Sequence, residues 1–402
     1  MRDGWIETRL GDIARVTSGF AFSTKSWREQ GIPVIKINNV RNGQVSIENC
    51  SFIAEPVPEG ASKFLLKQGD LLITLTGEIG AIGFVTQTQP MYLNQRVGRL
   101  DLLAEDRVLI KFIGLFLTLP EVRAEMWSHG KGNAQLNISP TSIHSLIINL
   151  PPLQEQKRIV DLISSVDSYI EALQQQLESA KRSRNAVMHE LLTAGGDGWV
   201  ETTLGQISKC AGGCAFPDAF QGNKEGIPFI KVSDMNSKDN EKYIKTSNNS
   251  VSAEVVDDLR LRIWDKGTVI FPKVGAALLT EKRRILTTKT IFDNNIMGLV
   301  PNEGVLSEFL FLLMLQIRFS DHVQPGAVPS IKNSIVEAIT VLLPSLDEQK
   351  RIVTIVSELD SFIQCTETSM NRTKALRSGL LSQLLSGEHE IPASYDKVIG
   401  AE

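Results

Sequence analysis

The segment Leu150-Pro151-Pro152-Leu153-Gln154-Glu155-Gln156-Lys157-Arg158-Ile159-Val160 returns, 193 residues on, as Leu343-Pro344-Ser345-Leu346-Asp347-Glu348-Gln349-Lys350-Arg351-Ile352-Val353. Each copy opens on proline, which is tolerated at a helix start and not inside one. Behind the first opening, Ile159, Ile163, Val166, Ile170, Leu173, Leu177, Ala180, Arg184, Val187 and Leu191 follow a 4-3-4-3 spacing, the heptad of a coiled-coil seam. The second copy carries Ile352, Val356, Leu359, Ile363, Thr366, Met370, Thr373, Arg377, Leu380 and Leu384 at the matching positions. Between Leu153 and Leu192, 15 of 40 residues are identical to their counterparts. Thr193-Ala194-Gly195-Gly196 and Ser386-Gly387 are natural stops. The pattern predicts two long helices whose matched stripes pair with each other. Arg184 and Arg377 fall on that stripe, where a charge needs a carboxylate, a partner protein or a route to solvent.

Outward from these helices, the rest of the chain repeats as well. Gly4-Trp5-Ile6-Glu7-Thr8-Arg9-Leu10-Gly11 returns as Gly198-Trp199-Val200-Glu201-Thr202-Thr203-Leu204-Gly205, and Gly31-Ile32-Pro33-Val34-Ile35-Lys36 as Gly226-Ile227-Pro228-Phe229-Ile230-Lys231. Lys67-Gln68-Gly69-Asp70-Leu71-Leu72 has a looser echo in Asp265-Lys266-Gly267-Thr268-Val269-Ile270. The period is a whole domain, which excludes a solenoid of short repeats. The boundaries are a first domain at 1–152, a first helix at 153–197, a second domain at 198–345, and a second helix with a polar tail at 346–402. Each domain mixes short β-rich runs (Ile32–Ile37, Asp70–Leu75, Ala81–Thr86; Gly267–Phe271, Ile285–Phe292) with a helical pattern at Arg107–Trp127 or Ser307–Phe319. A last apolar run closes each, at Ile143–Leu150 and Ile335–Leu343. The fold class is α+β, two similar mixed α/β domains each followed by a long helix.

Composition narrows the function. The chain has 402 residues, 42% apolar, enough for more than one core. No apolar run reaches the roughly 18–20 residues of a membrane span, and the N-terminus lacks a signal-peptide core. Four cysteines are no disulfide framework, so a cytoplasmic location is expected. Cys210 and Cys214 find no second close Cys/His pair, so no metal is expected. Net charge is −4, with 15 basic and 14 acidic residues in 1–152 and 16 of each in 198–345. Any contact with nucleic acid must therefore rest on local patches.

The ordered pair of Pro-x-Leu-x-Glu-Gln-x-x-Ile openings, the Leu-Leu closings at Leu191 and Leu384 and the Gly-Trp-x-x-Thr-x-Leu-Gly starts resemble the specificity subunits of type I restriction–modification systems, over nearly the whole chain. The resemblance implies two target-recognition domains, each reading one half of a bipartite double-stranded DNA site. It implies an antiparallel coiled-coil spacer with internal pseudo-twofold symmetry. Two methyltransferase subunits and the restriction subunits would be partners. S-adenosylmethionine and ATP would belong to those partners, with no cofactor in this chain. About 40 residues at 1.5 Å per residue make a rod of roughly 60 Å, so helix length would set the gap between half-sites.

The residues offer little to an enzyme. The only Pro-Pro, in Asn149-Leu150-Pro151-Pro152-Leu153, lacks the spacing and aromatic of an amino-methyltransferase element. Gly77-Glu78-Ile79-Gly80-Ala81-Ile82-Gly83 reads as a turn between strands, and no P-loop is present. His129, His144, His189, His322 and His389 are scattered. Base-edge chemistry, by contrast, needs Arg, Lys, Asn and Gln, and these gather in loops. The first domain offers Lys36, Asn38, Asn39 and Arg41, then Asn94, Gln95 and Arg96, then Lys131, Asn133, Gln135 and Asn137. The second offers Lys231, then Lys273, then Lys282, Arg283 and Arg284, then Lys332 and Asn333. The loops differ between domains, so two different half-sites are expected.

Overall fold

A computed structural model describes residues 2–41, 43–130, 136–216, 219, 221–323 and 328–398. The chain forms two compact units, residues 1–174 with 369–402 and residues 175–368. Both long helices, Leu153–Thr193 and Leu346–Ser386, are continuous over 41 residues. Each contributes one part to each unit, so the compact units divide the helices that the sequence sets apart as separate segments.

In the first unit, the repeated start motif and the apolar run before the proline are two sides of one ribbon. Strand Ile6–Arg9 pairs antiparallel with Ile147–Leu150, Ile6 opposite Leu150 and Arg9 opposite Ile147. Leu10 then turns fully inside, and Gly11 presses on the short helix Pro140–His144, where a Cβ would lie 2.7 Å from that of His144. The main sheet runs in the order Ala14–Ser18, Val97–Leu102, Leu71–Thr74, Ile82–Phe84, Gly43–Val45, Val40–Arg41. Its central strand is buried on both faces. Leu71 and Ile73 enter one core and Leu72 the other, as the period of two requires. A second sheet, Trp27–Arg28, Ser51–Ile53, Ile32–Ile35, Met91–Leu93, Leu65–Leu66, contains a parallel pairing of Ile32–Ile35 with Met91–Leu93. The helical pattern at 107–127 is two helices, Ile110–Leu117 and Pro120–Ser128, because Pro120 supplies no amide and starts a new helix. The final apolar run likewise begins as the helix Pro140–His144 and becomes a strand only at Ile147.

The second unit repeats this plan. Val200–Thr203 pairs with Thr340–Leu343, Gly205 presses on Glu337, and the main sheet runs Ser208–Gly212, Ile296–Pro301, Val269–Pro272, Arg284–Leu286, Tyr243–Ile244. Val269 and Phe271 enter one core, Ile270 the other. Ile227–Ile230 lies parallel to Ile291–Phe292. The apolar stretch expected as one strand at 285–292 splits into Arg284–Leu286 and Ile291–Phe292, separated by exposed Thr287, Thr288 and Lys289.

The glutamine of the repeated opening explains why that motif exists. Gln156 is completely buried; its Nε2 donates to the carbonyls of Arg107 (2.8 Å) and Pro151 (2.9 Å), and its Oε1 accepts the Leu109 amide (2.9 Å). Gln349 does the same with Gly304 (3.0 Å), Pro344 (3.1 Å) and Leu306 (2.9 Å). One side chain thus fastens each long helix to the loop that starts the unit's own core helix.

Helix pairing takes place inside each unit. In the first, Ile159 and Ile163 share a core with Leu381, Leu384 and Leu385. In the second, Met188 and Leu192 share one with Ile352 and Val356. Lys181 meets Glu367 (2.8 Å) and Arg184 meets Asp360 (2.8 Å); the partner number falls as the helix number rises, so the segments run antiparallel. Arg377 meets Asp167 in the first unit, its Nη2 2.8 Å from Oδ2. Both seam arginines therefore find a carboxylate on the opposite helix, and the two pairs are one arrangement displaced by the repeat offset of 193. Among the described residues, no helix is long and apolar enough to cross a membrane.

Candidate nucleic-acid interface

Parallel strands carry their C-terminal ends to the same edge, and this gathers the polar loops of the first unit. After Ile35 and Leu93 the backbones stay joined, with the Asn94 amide donating to the Ile35 carbonyl (3.0 Å). The Gln95 amide donates to the Phe20 carbonyl (3.0 Å), Leu75 N–H to Arg96 (3.0 Å), Ile138 N–H to Leu75 (2.9 Å) and Gly77 N–H to Leu136 (2.8 Å). The loops at 36–39, 94–96 and 136–138 are thereby laced into one edge, with 75–77 between them. Gly19 permits the lacing, since a Cβ there would sit 2.3 Å from the Leu93 carbonyl. Asn38, Gln95, Arg96 and Asn137 are exposed on these loops; Arg41 is exposed on the strand that follows the first. Lys131, Asn133 and Gln135 lie outside the described residues.

Two expected contacts turn inward. Asn39 is buried, its Oδ1 accepting the Lys36 amide (3.0 Å) and its Nδ2 donating to the Glu48 carbonyl (3.3 Å). Asn94 is buried as well, its Oδ1 accepting the Arg96 amide (3.2 Å). Both amides shape the loops, since a buried polar group is satisfied by the nearest backbone.

The second unit builds the same edge from partly different residues. The Asp293 amide donates to Ile230 (2.9 Å), Lys273 N–H to Asn295 (2.8 Å), Ile331 N–H to Lys273 (3.0 Å) and Gly275 N–H to Pro329 (2.7 Å). Half-buried Lys231 and Lys273 belong here, as do exposed Lys332 and half-buried Asn333 just beyond Ile331. So do exposed Asn294 and Asn295, which the sequence reading passed over. Their signal was present. Asp293-Asn294-Asn295 follows the strand Ile291–Phe292 as Asn94-Gln95-Arg96 follows Met91–Leu93.

The basic triplet 282–284 is elsewhere, at the start of the strand Arg284–Leu286. Lys282 Nζ hydrogen-bonds Asn236 Oδ1. Arg283 is 2% exposed; it pairs with Glu281 (2.6 Å), donates to the carbonyls of Met314 (3.2 Å) and Ile317 (2.9 Å), and stacks 4.2 Å from the Phe319 ring. A buried guanidinium persists only with such partners, so Arg283 is a core residue and not a surface contact. Burial alone would raise the Glu281 carboxyl, but hydrogen bonds from Arg283 and from the Ser320 and Phe319 amides outweigh it and hold it below its ordinary value. Arg284 donates to the carbonyls of Met235 (2.8 Å) and Arg283 (2.6 Å), which ties it to backbone too.

One cation is common to both edges. Lys36 Nζ lies 3.6 Å from the Trp27 ring centroid and donates to Ser51 Oγ (2.7 Å). Lys231 Nζ lies 3.7 Å from the Phe216 centroid and donates to Gln221 Oε1 (2.6 Å). The Lys231 amide is capped by Asp234 (2.8 Å) as that of Lys36 is by Asn39. Partial burial draws the Lys36 ammonium below its ordinary value. No group of His, Cys, Asp and Glu among the described residues could hold a metal ion, and burial pushes the Cys210 thiol up to about 12.

The model of the type I restriction modification DNA specificity domain matches the chain twice, over residues 2–182 and 196–374. The EcoBI specificity subunit of Escherichia coli is 24% identical, over 99% of this chain and 92% of its own length. A chain from a structure concerned with complex assembly and conformational transition of the type I restriction–modification system superposes with a TM-score of 0.65 at 15% identity, covering 96% of this chain and 98% of that one. The S subunit from M. genitalium gives 0.55 at 16% identity, covering 95% and 96%.

Proposed function

The chain belongs to the type I restriction–modification DNA specificity family, and from that premise we propose that its two units read the two halves of one bipartite duplex site. The observation that carries this is the pair of loop edges. The same backbone lacing recurs in each unit, while the side chains it presents differ. Gln95, Arg96 and Asn38 stand in the first unit where Asn294, Asn295 and Ser233 stand in the second. All are of the types that match base edges or phosphate. A shared scaffold with unlike tips suits one duplex read at two unlike sequences.

Chemistry is left to partners. Two methyltransferase subunits dock on the paired helices and the domain flanks, restriction subunits join them, and those partners handle S-adenosylmethionine and ATP. The chain contributes sequence choice and a frame. The test is selection of bound duplexes from a randomised library by the chain assembled with its methyltransferase subunits. Two short specified clusters separated by an unspecified gap are expected. A single contiguous cluster, or S-adenosylmethionine-dependent methylation by the chain alone, sinks the reading.

A further inference from the structure

The two loop edges differ in the exposed polar residues they carry and agree in one half-buried lysine. Lys36 and Lys231 end the same motif, follow the same parallel strand, rest on an aromatic face at 3.6 and 3.7 Å, and hold a neighbouring hydroxyl or amide oxygen. Each adjoins the loop that holds Gln95 and Arg96 or Asn294 and Asn295, because Ile35 accepts the Asn94 amide and Ile230 the Asp293 amide. The aromatic face holds the ammonium in one place, and beside the one side-chain oxygen it meets in each unit the ammonium, a three-donor group, has hydrogen-bonding capacity for an anion.

Duplex DNA likewise has one part that is the same at every half-site, the phosphate backbone, and one that differs, the base edges. We propose that Lys36 and Lys231 each grip a backbone phosphate and set the register of their unit. Base choice then belongs to the neighbours that differ, Gln95 and Arg96 in one unit and Asn294 and Asn295 in the other. This rests on the DNA-reading function proposed above. Preorganisation on the ring explains why a lysine, ordinarily a mobile point charge, is used at both edges.

The experiment compares Lys36→Met, Lys231→Met, Lys36→Arg and Asn294→Ala/Asn295→Ala with the unaltered chain, each assembled with its methyltransferase subunits. Binding to the selected duplex and to an unrelated duplex is measured between 50 and 200 mM salt. Each methionine variant should weaken both duplexes by the same factor and leave base preference intact. Its affinity should fall ~3.5-fold less across that salt range, one phosphate contact's share of the slope. Lys36→Arg should keep the parental slope. The asparagine variant should relax preference within one half-site at unchanged slope. A methionine variant that alters base preference at one position with the slope unchanged overturns the assignment, as does one with unaltered affinity and slope. If a methionine variant melts early, Lys36→Gln and Lys231→Gln are judged by the same slope at a temperature where they stay folded. An unaltered complex that prefers no duplex refutes the DNA-reading function itself, a result distinct from any variant's.

Discussion

Replacing Gln156 by leucine keeps the volume and removes every polar atom of a fully buried side chain. Three backbone groups then lose their partner, the carbonyls of Arg107 and Pro151 and the amide of Leu109. An orphaned buried group costs ~1–3 kcal/mol, and burying the leucine recovers roughly 2 kcal/mol. At about 2 kcal/mol for each of the three groups, the net loss is about 4 kcal/mol. For a unit of this size that is about 10 °C in Tm. Differential scanning calorimetry of the full chain reads it, and Gln349→Leu should behave alike because its bonds are the same three. Gln156→Glu adds a control. A carboxylate would face the two carbonyls, so its folded pKa should lie above its unfolded ~4.3. The extra stability is then present below that value and is lost as pH rises through the folded pKa. A Gln156→Leu protein within 1 kcal/mol of the parent, or a Gln156→Glu protein indifferent to pH, would refute the claim that this amide fastens the helix.

Arg283→Met should destabilise the chain by about 3 kcal/mol, because Glu281 is left without its ion pair, yet leave base preference in a duplex selection untouched; altered preference would restore it to the interface. A double-mutant cycle on Arg184 and Asp360, read by urea unfolding, should return a coupling of ~1 kcal/mol, modest because the pair is partly exposed. The cycle on Arg377 and Asp167 should return less, since its side chains are 23% and 43% exposed against 14% and 32%; purely additive single changes would deny the seam its pairs. His144 Nε2 accepts the Val16 amide (2.9 Å), and burial with Arg15 nearby holds its imidazole below the ordinary value. The unfolded chain therefore takes up the proton first, so stability should fall as pH drops below ~6.5. His144→Asn should flatten that part of the stability–pH curve, and an unchanged curve counts against the neutral acceptor.

The helices were legible because a heptad stripe and its punctuation are properties of order along the chain, and both ends fall where the glycines and prolines put them. Loop position was legible where strand order dictates it, so Lys36, Gln95, Arg96 and Asn137 do share an edge. Burial was not legible at Arg283, because a basic triplet looks alike whether it meets water or a carboxylate two residues away. Asn294 and Asn295 stand where Gln95 and Arg96 stand, a correspondence that strand order reveals and no repeated motif marks. The break at Pro120 was open to reading, but the apolar periodicity on either side ran on through it. The division of the compact units within the helices was closed to a linear reading, since it depends on segments nearly two hundred residues apart.

The exchange of Arg184–Asp360 for Asp167–Arg377 under the repeat has a genealogical meaning. On the first helix alone, Asp167 and Arg184 already form a code that its own copy can answer, with the acid of one strand meeting the base of its sister. A half-length chain bearing that helix could answer both of these charges by pairing with a second copy of itself, and the internal repeat supplies that copy within one chain. Once joined, the two copies are free to inherit different fates at their loop tips while the seam holds them to a common grammar.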